Sequence, residues 1–377
     1  MGLVSDGRSN VKEFDVFIRV VLVTIGIVTA IVLCIFLLLF LYRILRRYAL
    51  KNLEYKRYFT DKGAFEGQEI QLIEELTNHG FFPLLRVYVE THITTKLYMP
   101  GANGGNEINQ EFISRFFVMP YTRIKRHHRV ILKKRGHYRL ESAKISFMGI
   151  EAYLDSEAEI RVYPKELHID DIQRINQCIQ VSALSNRPII RDVFSFAKVR
   201  EYTYGDSINI INHKSTARMG RLMVNDADFV LGRKILLCLN FQAGNTGIPE
   251  EKFAEIQEKS MQFAAYLAGE AIRKGWQIGL IANCKTDSGA KSVKVYMGTG
   301  YGKYIEILEA LSMARTIYGN SIGRIIDEAA DGNLRNTEVI IFSTYVDESI
   351  EKRVEMLMRE GNEAAVIDLK EVTAYEA

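Results

Sequence analysis

The sequence predicts a multidomain chain in three parts: an N-terminal transmembrane helix, a β-sandwich and a doubly wound α/β domain. Three observations carry that expectation. An apolar run without charge fills residues 20–42, apolar and polar residues alternate with period two over residues 58–164, and strand-like and helix-like stretches alternate from Lys234 onward. The 377 residues exceed one ordinary domain, and a net charge of +3 with 25% charged residues describes an ordinary soluble surface rather than a polyanion-binding one.

The run at 20–42 has only Thr24, Gly26, Thr29 and Cys34 as milder members. At about 1.5 Å per residue it reaches across a hydrocarbon core of about 30 Å. A signal peptide is the competing reading. Against it, the run exceeds the usual apolar core of about 7–15 residues, and Leu41-Tyr42-Arg43 offers no small-residue cleavage site. Arg43, Arg46, Arg47, Lys51, Lys56 and Arg57 crowd the C-terminal flank, whereas Arg8, Lys12 and Arg19 share the tail, residues 1–19, with Asp6, Glu13 and Asp15. Positive charge on the inner side predicts a single pass through the cell membrane, N-terminus outside and the bulk of the chain cytoplasmic. Residues 43–57 read as a basic juxtamembrane segment, with Tyr48 and Tyr55 among the headgroups, so the lipid bilayer is the first expected partner. Cys34, Cys178, Cys238 and Cys284 have neither metal-type spacing nor a disulfide framework, which suits a reducing compartment.

The β-sandwich is expected over residues 58–165. Strands are predicted at 69–75, 84–91, 112–119, 121–132, 137–147 and 159–163, with turns at Asn78-His79-Gly80, 101–105 and Arg135-Gly136. Short strands at a spacing of about ten residues suggest two packed sheets. The densest basic run, Arg123, Lys125, Arg126, His127, His128, Arg129, Lys133, Lys134 and Arg135, lies here. Strand alternation puts Arg123, Lys125, His127 and Arg129 on one side and turns Ile124 and Val130 away, so the run is a solvated face or a patch for acidic lipid or an acidic partner. His127 and His128 point to opposite faces and form no metal pair. Nucleic acid is not expected, because the charge is balanced and no recognition motif accompanies the run.

The α/β domain is expected over residues 231–377. Strands are predicted at 234–240, 276–282, 292–297 (an edge), 337–344 and 364–369, and helices at 250–274, 304–318 and 347–360, the first two stopped by Gly275 and Gly319. In such sheets ligands bind beyond the C-terminal ends of strands, here after Asn240, Met297 and Thr344. The loop Gly298-Thr299-Gly300-Tyr301-Gly302-Lys303 is not a P-loop: Tyr304 follows the lysine, and Met297 occupies the first glycine place. With no nucleophile elbow, Cys/His pair or HExxH motif, no enzymatic activity is expected.

Between the two domains, residues 166–230 carry Arg200-Glu201-Tyr202-Thr203-Tyr204-Gly205-Asp206, then Ile211-Asn212-His213-Lys214 and Ala217-Arg218-Met219-Gly220-Arg221-Leu222-Met223-Val224. This stretch resembles the signature of the DUF58 family: R-E-Y-x-x-G-D, then I-D/N-W-K, A-R and L-x-V, leading into a von Willebrand factor A-like (vWA-like) domain. Lys134-Arg135-Gly136-His137-Tyr138 matches the K-R-G-x-Y turn of that family's β-sandwich. His213 stands where the family usually has Trp, and Asn209 where a basic residue is common.

The resemblance implies that the α/β domain is vWA-like. It also implies a protein-interaction role, commonly beside a MoxR-type AAA+ ATPase, in assembly or maturation of other proteins or of the envelope. The partner or junction candidates are Arg200, Glu201, Tyr202, Gly205, Asp206, His213, Lys214, Arg218 and Arg221. The mixed charges of Arg200, Glu201, Asp206, Arg218 and Arg221 suit an internal network between domains. In vWA domains a D-x-S-x-S turn, with a Thr and an Asp from later loops, holds a divalent cation. Here Asn240-Phe241-Gln242-Ala243-Gly244 occupies that turn, and Thr299 and Asp347 are the nearest candidates for the other loops. One carboxylate among neutral amides binds Mg²⁺ weakly or not at all, so no cofactor is expected. A metal-dependent vWA-type adhesion protein is the alternative to a membrane-anchored scaffold.

Overall fold

The structure is a computed structural model that describes residues 6–101, 109–185, 198–203, 211–226, 233–244, 247–330 and 334–370. Helix α1 (Asp6–Lys51) contains one stretch, Val21–Ile44, long and apolar enough to cross a membrane, and its large apolar side chains are exposed. Only Asn52 separates α1 from strand β1 (Leu53–Phe59).

That junction moves the expected boundary at residue 58 back by five residues. The segment 43–57 is not a single juxtamembrane element: it is helix as far as Lys51 and sandwich from Leu53. Tyr55 and Arg57 are buried between the sheets instead of lying among headgroups. The reason is the alternation of β1, which turns Leu53, Tyr55, Arg57 and Phe59 inward and Lys56 and Tyr58 outward.

The sandwich continues through β2 (Gly63–Phe65), β3 (Glu69–Asn78), β4 (Leu84–Thr94), β5 (Leu97–Tyr98), β6 (Asn109–Val118), β7 (Arg123–Leu132), β8 (Gly136–Phe147) and β9 (Ile150–Tyr163). One sheet has the order β1-β3-β7-β5, the other β2-β9-β8-β4-β6. Sequence periodicity finds β3, β4, β6, β7 and β8 but passes over β1, β2, β5 and the first half of β9. The burial pattern of β7 bears out the predicted alternation, with Arg123, Lys125, His127 and Arg129 outward.

Inward positions are apolar toward both ends of the sandwich and polar at one level between. Along β1 the order is Tyr55, Arg57, Phe59; along β3, Leu72, Glu74, Leu76; along β4, Val89, Thr91, Ile93; along β9, Leu154, Ser156, Ala158. This polar belt separates two apolar clusters. Arg57 donates to the carbonyls of Ser156 (2.8 Å) and Ser142 (2.9 Å). Glu74, fully buried, accepts from the Tyr55 hydroxyl (2.7 Å) and Ser114 Oγ and lies 2.8 Å from His128 Nε2. Burial raises the Glu74 pKa, but hydrogen bonds from His128, Ser114 and Tyr55 outweigh it and hold the carboxyl below its ordinary value.

Beyond the sandwich come α2 (Ile169–Ser185), β10 (Lys198–Glu201), α3 (His213–Met219) and β11 (Met223–Asp226). The α/β part then runs β12 (Lys234–Leu239), α4 (Glu250–Arg273), β13 (Gln277–Ala282), β14 (Cys284–Thr286), β15 (Val293–Gly298), α5 (Tyr301–Met313), β16 (Ala314–Tyr318), α6 (Ile322–Ala330), β17 (Thr337–Ser343), α7 (Glu348–Arg359) and β18 (Glu363–Asp368). Its main sheet has the order β15-β13-β12-β17-β18, parallel except for antiparallel β15 at the edge. Ile235, Leu237 and Leu239 face α4 and α5, whereas Leu236 and Cys238 face α6 and α7, so helices cover both faces. That explains the unbroken apolar run of β12. Ile175 of α2 lies in the same core as α4 and α5, so the segment 166–230 begins with a helix that belongs to the α/β packing.

One predicted helix is corrected. Residues 304–318 are not helical throughout: α5 stops at Met313, and Ala314–Tyr318 forms β16, paired with β14. The β-branched Thr316 and Ile317 with Tyr318 favour a strand once a partner edge is available.

Candidate functional site

The point where strand order reverses lies between central β12 and β17, whose C-terminal ends carry Asn240 and Ser343. Asn240 Nδ2 donates to Ser343 Oγ at 3.0 Å, and Asn240 Oδ1 accepts from Asn283 Nδ2 at 2.8 Å and from the Gln242 backbone N–H at 3.1 Å. Asn283 Oδ1 accepts from the Phe241 N–H (2.5 Å), and Gln257 of α4 donates to the Asn240 carbonyl (3.0 Å). Asn240, Gln257, Asn283 and Ser343 are all fully buried. The amides therefore satisfy one another and fix three loops around the end of β12. Thr344 Oγ1 beside them is buried without a hydrogen-bond partner among the described residues.

A divalent cation does not fit this donor set. Asn240 Oδ1 already receives two hydrogen bonds, Ser343 Oγ donates to the Tyr345 carbonyl (2.6 Å), and among the described residues no carboxylate enters the network. Asp347 is exposed and caps α7, its Oδ1 accepting from the Ile350 N–H at 2.8 Å. Gln242 contributes its backbone, and Thr299 is exposed in the loop before α5. Hard cations require oxygen ligands with anionic charge, which this cluster lacks. In the neighbouring glycine loop Lys303 folds back over Gly298 and pairs with Glu306 at 2.5 Å, as a helix-start turn does.

The signature segment forms a small unit of its own. β10 pairs antiparallel with β11, setting Arg200 against Val224 and Glu201 against Met223. Asn212 caps α3, accepting from the Ser215 N–H at 2.9 Å, and Gly220 ends it with φ 67° and an N–H to the Thr216 carbonyl. The Asn and Gly of the motif thus have helix-capping roles. Arg221 pairs with Glu201, both more than half exposed, which gives little stability. The Tyr202 N–H donates to the Leu222 carbonyl, and His213, Lys214 and Arg218 are exposed on α3. Tyr204, Gly205, Asp206 and Asn209 lie outside the described residues.

The tightest junction between domains was not among the predicted sites. Arg135, in the turn between β7 and β8, donates Nε and Nη2 to the two oxygens of Glu258 on α4, both at 2.8 Å. Its Nη1 donates to the carbonyls of Leu311 and Ala314 at the C-terminal end of α5, both at 2.6 Å, and its side chain is 4% exposed. The negative end of the α5 dipole favours a cation there. Tyr138 Oη donates to the Lys134 carbonyl (2.7 Å), which gives a physical role to the tyrosine of Lys134-Arg135-Gly136-His137-Tyr138. Glu66 accepts from the Arg135 N–H (2.8 Å), although burial keeps its carboxyl above the ordinary range. Arg161 of β9 adds a pair with Glu309 of α5 at 2.8 Å. Tyr163 packs into the α/β core over Gly63, where a Cβ would stand 2.1 Å from the tyrosine hydroxyl.

The basic run thus divides. Arg123 and Lys125 pair with Glu75, both at 3.0 Å, and Arg129 with Glu69 at 2.8 Å, so two acidic residues of β3 offset part of the charge of its outer face. Arg135 instead leaves the face and becomes the clamp. The signal that distinguishes it is the glycine and tyrosine that follow, since charge alone makes it one cation among many.

No family model matches the chain, and no curated protein matches it. Solved structures that align with it include the CARDB domain of the PF1109 protein in complex with di-metal ions from Pyrococcus furiosus. That alignment has 10% identity and a TM-score of 0.22, over 29% of this chain and 93% of that one. The seventh ScaB type I cohesin from Pseudobacteroides cellulosolvens aligns at 12% identity and a TM-score of 0.20, over 30% and 95%. The DNA glycosylase AlkC from Pseudomonas fluorescens, bound to DNA containing an abasic site analog, aligns at 11% identity and a TM-score of 0.20, over 29% and 30%. At these scores the likenesses carry no argument about activity.

Proposed function

We propose that the chain is a membrane-anchored protein-interaction scaffold resembling DUF58 proteins, single-pass with its bulk in the cytoplasm, acting beside a MoxR-type AAA+ ATPase in assembly or maturation of envelope or other proteins. The observation that carries this reading is the short series connection of its parts. One residue joins the apolar helix to the sandwich, and the buried Arg135 clamp joins the opposite end of the sandwich to α4 and α5. A chain built this way puts the length of the sandwich, about 35 Å for strands of ten residues or so, between the end of the apolar helix and the α/β domain. The sheet order, with a central first strand and an antiparallel edge, supports the vWA-like part of the reading. The filled amide network at the switch point favours docking over the metal-dependent alternative.

Co-purification of the full chain from detergent-solubilised native membranes tests the reading, with crosslinking mass spectrometry to place the contacts. An AAA+ ATPase or another stable partner crosslinked to the α/β domain or to α3 is the expected result. Recovery of the chain alone counts against it.

A further inference from the structure

The sandwich has two chemically different ends. At the end where α1 enters, the turns β3–β4, β6–β7 and β8–β9 come together, since Leu53 pairs with Asn78, Thr77 with Arg123, Leu84 with Val118 and Val87 with Phe147. Each turn presents a large apolar side chain to the outside: Phe81, then Met119 and Tyr121, then Met148, which are 55%, 50%, 72% and 42% exposed. Leu85 joins them through a bulge in β4 that turns both Leu85 and Arg86 outward. The described turns of the opposite end include Thr60-Asp61-Lys62, Glu66-Gly67-Gln68, Thr95-Lys96 and Lys133-Lys134-Arg135, and Met99 at the start of the β5–β6 connection is buried.

Two of these apolar residues are held in an uncommon conformation. Tyr121 has φ 55° and Met148 φ 47°, and the only other non-glycine residue with positive φ among those described is Asn336. A bulky side chain in left-handed backbone is costly, and the two-residue turn Met148-Gly149, with positive φ at both residues, ordinarily takes Asn, Asp or Gly at the place Met148 fills. The turns are also tied to the helix. The His79 N–H donates to the Asn52 carbonyl (2.9 Å), Asn78 Nδ2 donates to the carbonyls of Phe82 (2.8 Å) and Met119 (3.2 Å), and the rings of Tyr48 and Phe81 lie 5.2 Å apart.

Depth follows from the helix. Tyr48 is four residues past Ile44, the end of the apolar span, so about 6 Å along the axis. The headgroup layer beyond the hydrocarbon is about 5–8 Å thick on each side. Phe81, in contact with Tyr48, is therefore at headgroup depth, where aromatic side chains are favoured. Arg47, Lys51 and Arg86 are exposed around the same rim, and the acidic Glu54 is occupied by Lys56 and His79. Cations at this level gain from anionic headgroups.

We propose that this rim, Phe81, Leu85, Met119, Tyr121 and Met148, is a second membrane contact that seats the end of the sandwich in the headgroup layer beside α1. The inference rests on the reading of α1 as an anchor. The rim fixes the tilt and rotation of the sandwich, which a lone helix leaves free. Its occupant is lipid, because the rim continues the surface of a helix that already enters the bilayer.

The chain has a single tryptophan, Trp276, in the α/β part, so added tryptophans report on their own surroundings. Full-length Tyr121→Trp, Met148→Trp and, at the far end, Lys96→Trp are reconstituted into phosphatidylcholine and phosphatidylglycerol vesicles with and without lipid that carries a nitroxide on its headgroup. The expected result is that the headgroup nitroxide removes added emission for Tyr121→Trp and Met148→Trp and leaves that of Lys96→Trp unchanged. Flotation with the vesicles separates the two readings. A chain that floats but shows no quenching at either rim position overturns the rim and leaves the anchor standing. A full-length chain that does not float overturns both.

Discussion

Arg135 and Glu258 belong to different domains and meet in a two-pronged pair, both N–O distances 2.8 Å, with the remaining donor nitrogen of the guanidinium directed at the end of α5. Arginine suits this place because its planar fork serves a carboxylate and two carbonyls together, which an ammonium group cannot do.

Arg135→Ala should therefore loosen the sandwich from the α/β domain. The loss leaves the Glu258 carboxylate and two carbonyls without their partner, at a cost of about 3–5 kcal/mol. Calorimetry of the detergent-solubilised chain should show one cooperative transition becoming two. Arg135→Lys should restore only part of the coupling, and a single transition unchanged by either substitution would contradict the clamp.

The amide network predicts two outcomes at the switch point. Asn283→Leu leaves the Phe241 N–H without its acceptor and Asn240 Oδ1 with one donor in place of two, and should cost about 1–3 kcal/mol, whereas Thr344→Val removes an unpartnered hydroxyl and should be neutral or slightly stabilising. Millimolar Mg²⁺ or Mn²⁺ should leave the melting temperature of the wild-type chain unchanged. A metal-induced rise would revive the adhesion reading.

Glu74 predicts an acid-sensitive sandwich. Its folded pKa lies below the ordinary value of 4.5, so the unfolded chain takes up the proton first as pH falls. The stability that this carboxylate contributes is complete above about pH 4.5 and drains away as pH drops toward the lower folded value. Urea titrations across that window should show the decline, and Glu74→Gln should flatten the slope while lowering stability at neutral pH. An equal slope in both proteins would place the acid sensitivity elsewhere.

His213 stands exposed at the start of α3, so His213→Trp should change stability by less than about 0.5 kcal/mol. Under the proposed function, an effect of this variant is expected in partner capture and not in stability. Co-purification that is as efficient with the variant as with the wild type removes His213 from the contact surface.

Much of the fold was legible. The apolar helix, five sandwich strands and the five strands of the main α/β sheet stand in the sequence as periodicity, because one buried face or two buried faces leave a pattern. The short strands β2, β5, β14 and β16 left none: two to five residues are too few for a period, and they form where another edge is waiting. Tyr55 and Arg57 escape a sequence reading because an aromatic and a basic residue just past an apolar helix look the same whether they face headgroups or a sandwich interior.

The sequence by itself determined the order of the parts and the neutral character of the Asn240 turn, since an amide carries no charge in any fold. Tertiary structure alone decided which cation of a nine-residue basic set becomes a clamp, which carboxylate becomes a helix cap at Asp347, and which turns share an end with the apolar helix. The reason is that partners for such groups lie far along the chain: Arg135 meets Glu258 across 123 residues, and no local pattern records an encounter at that separation.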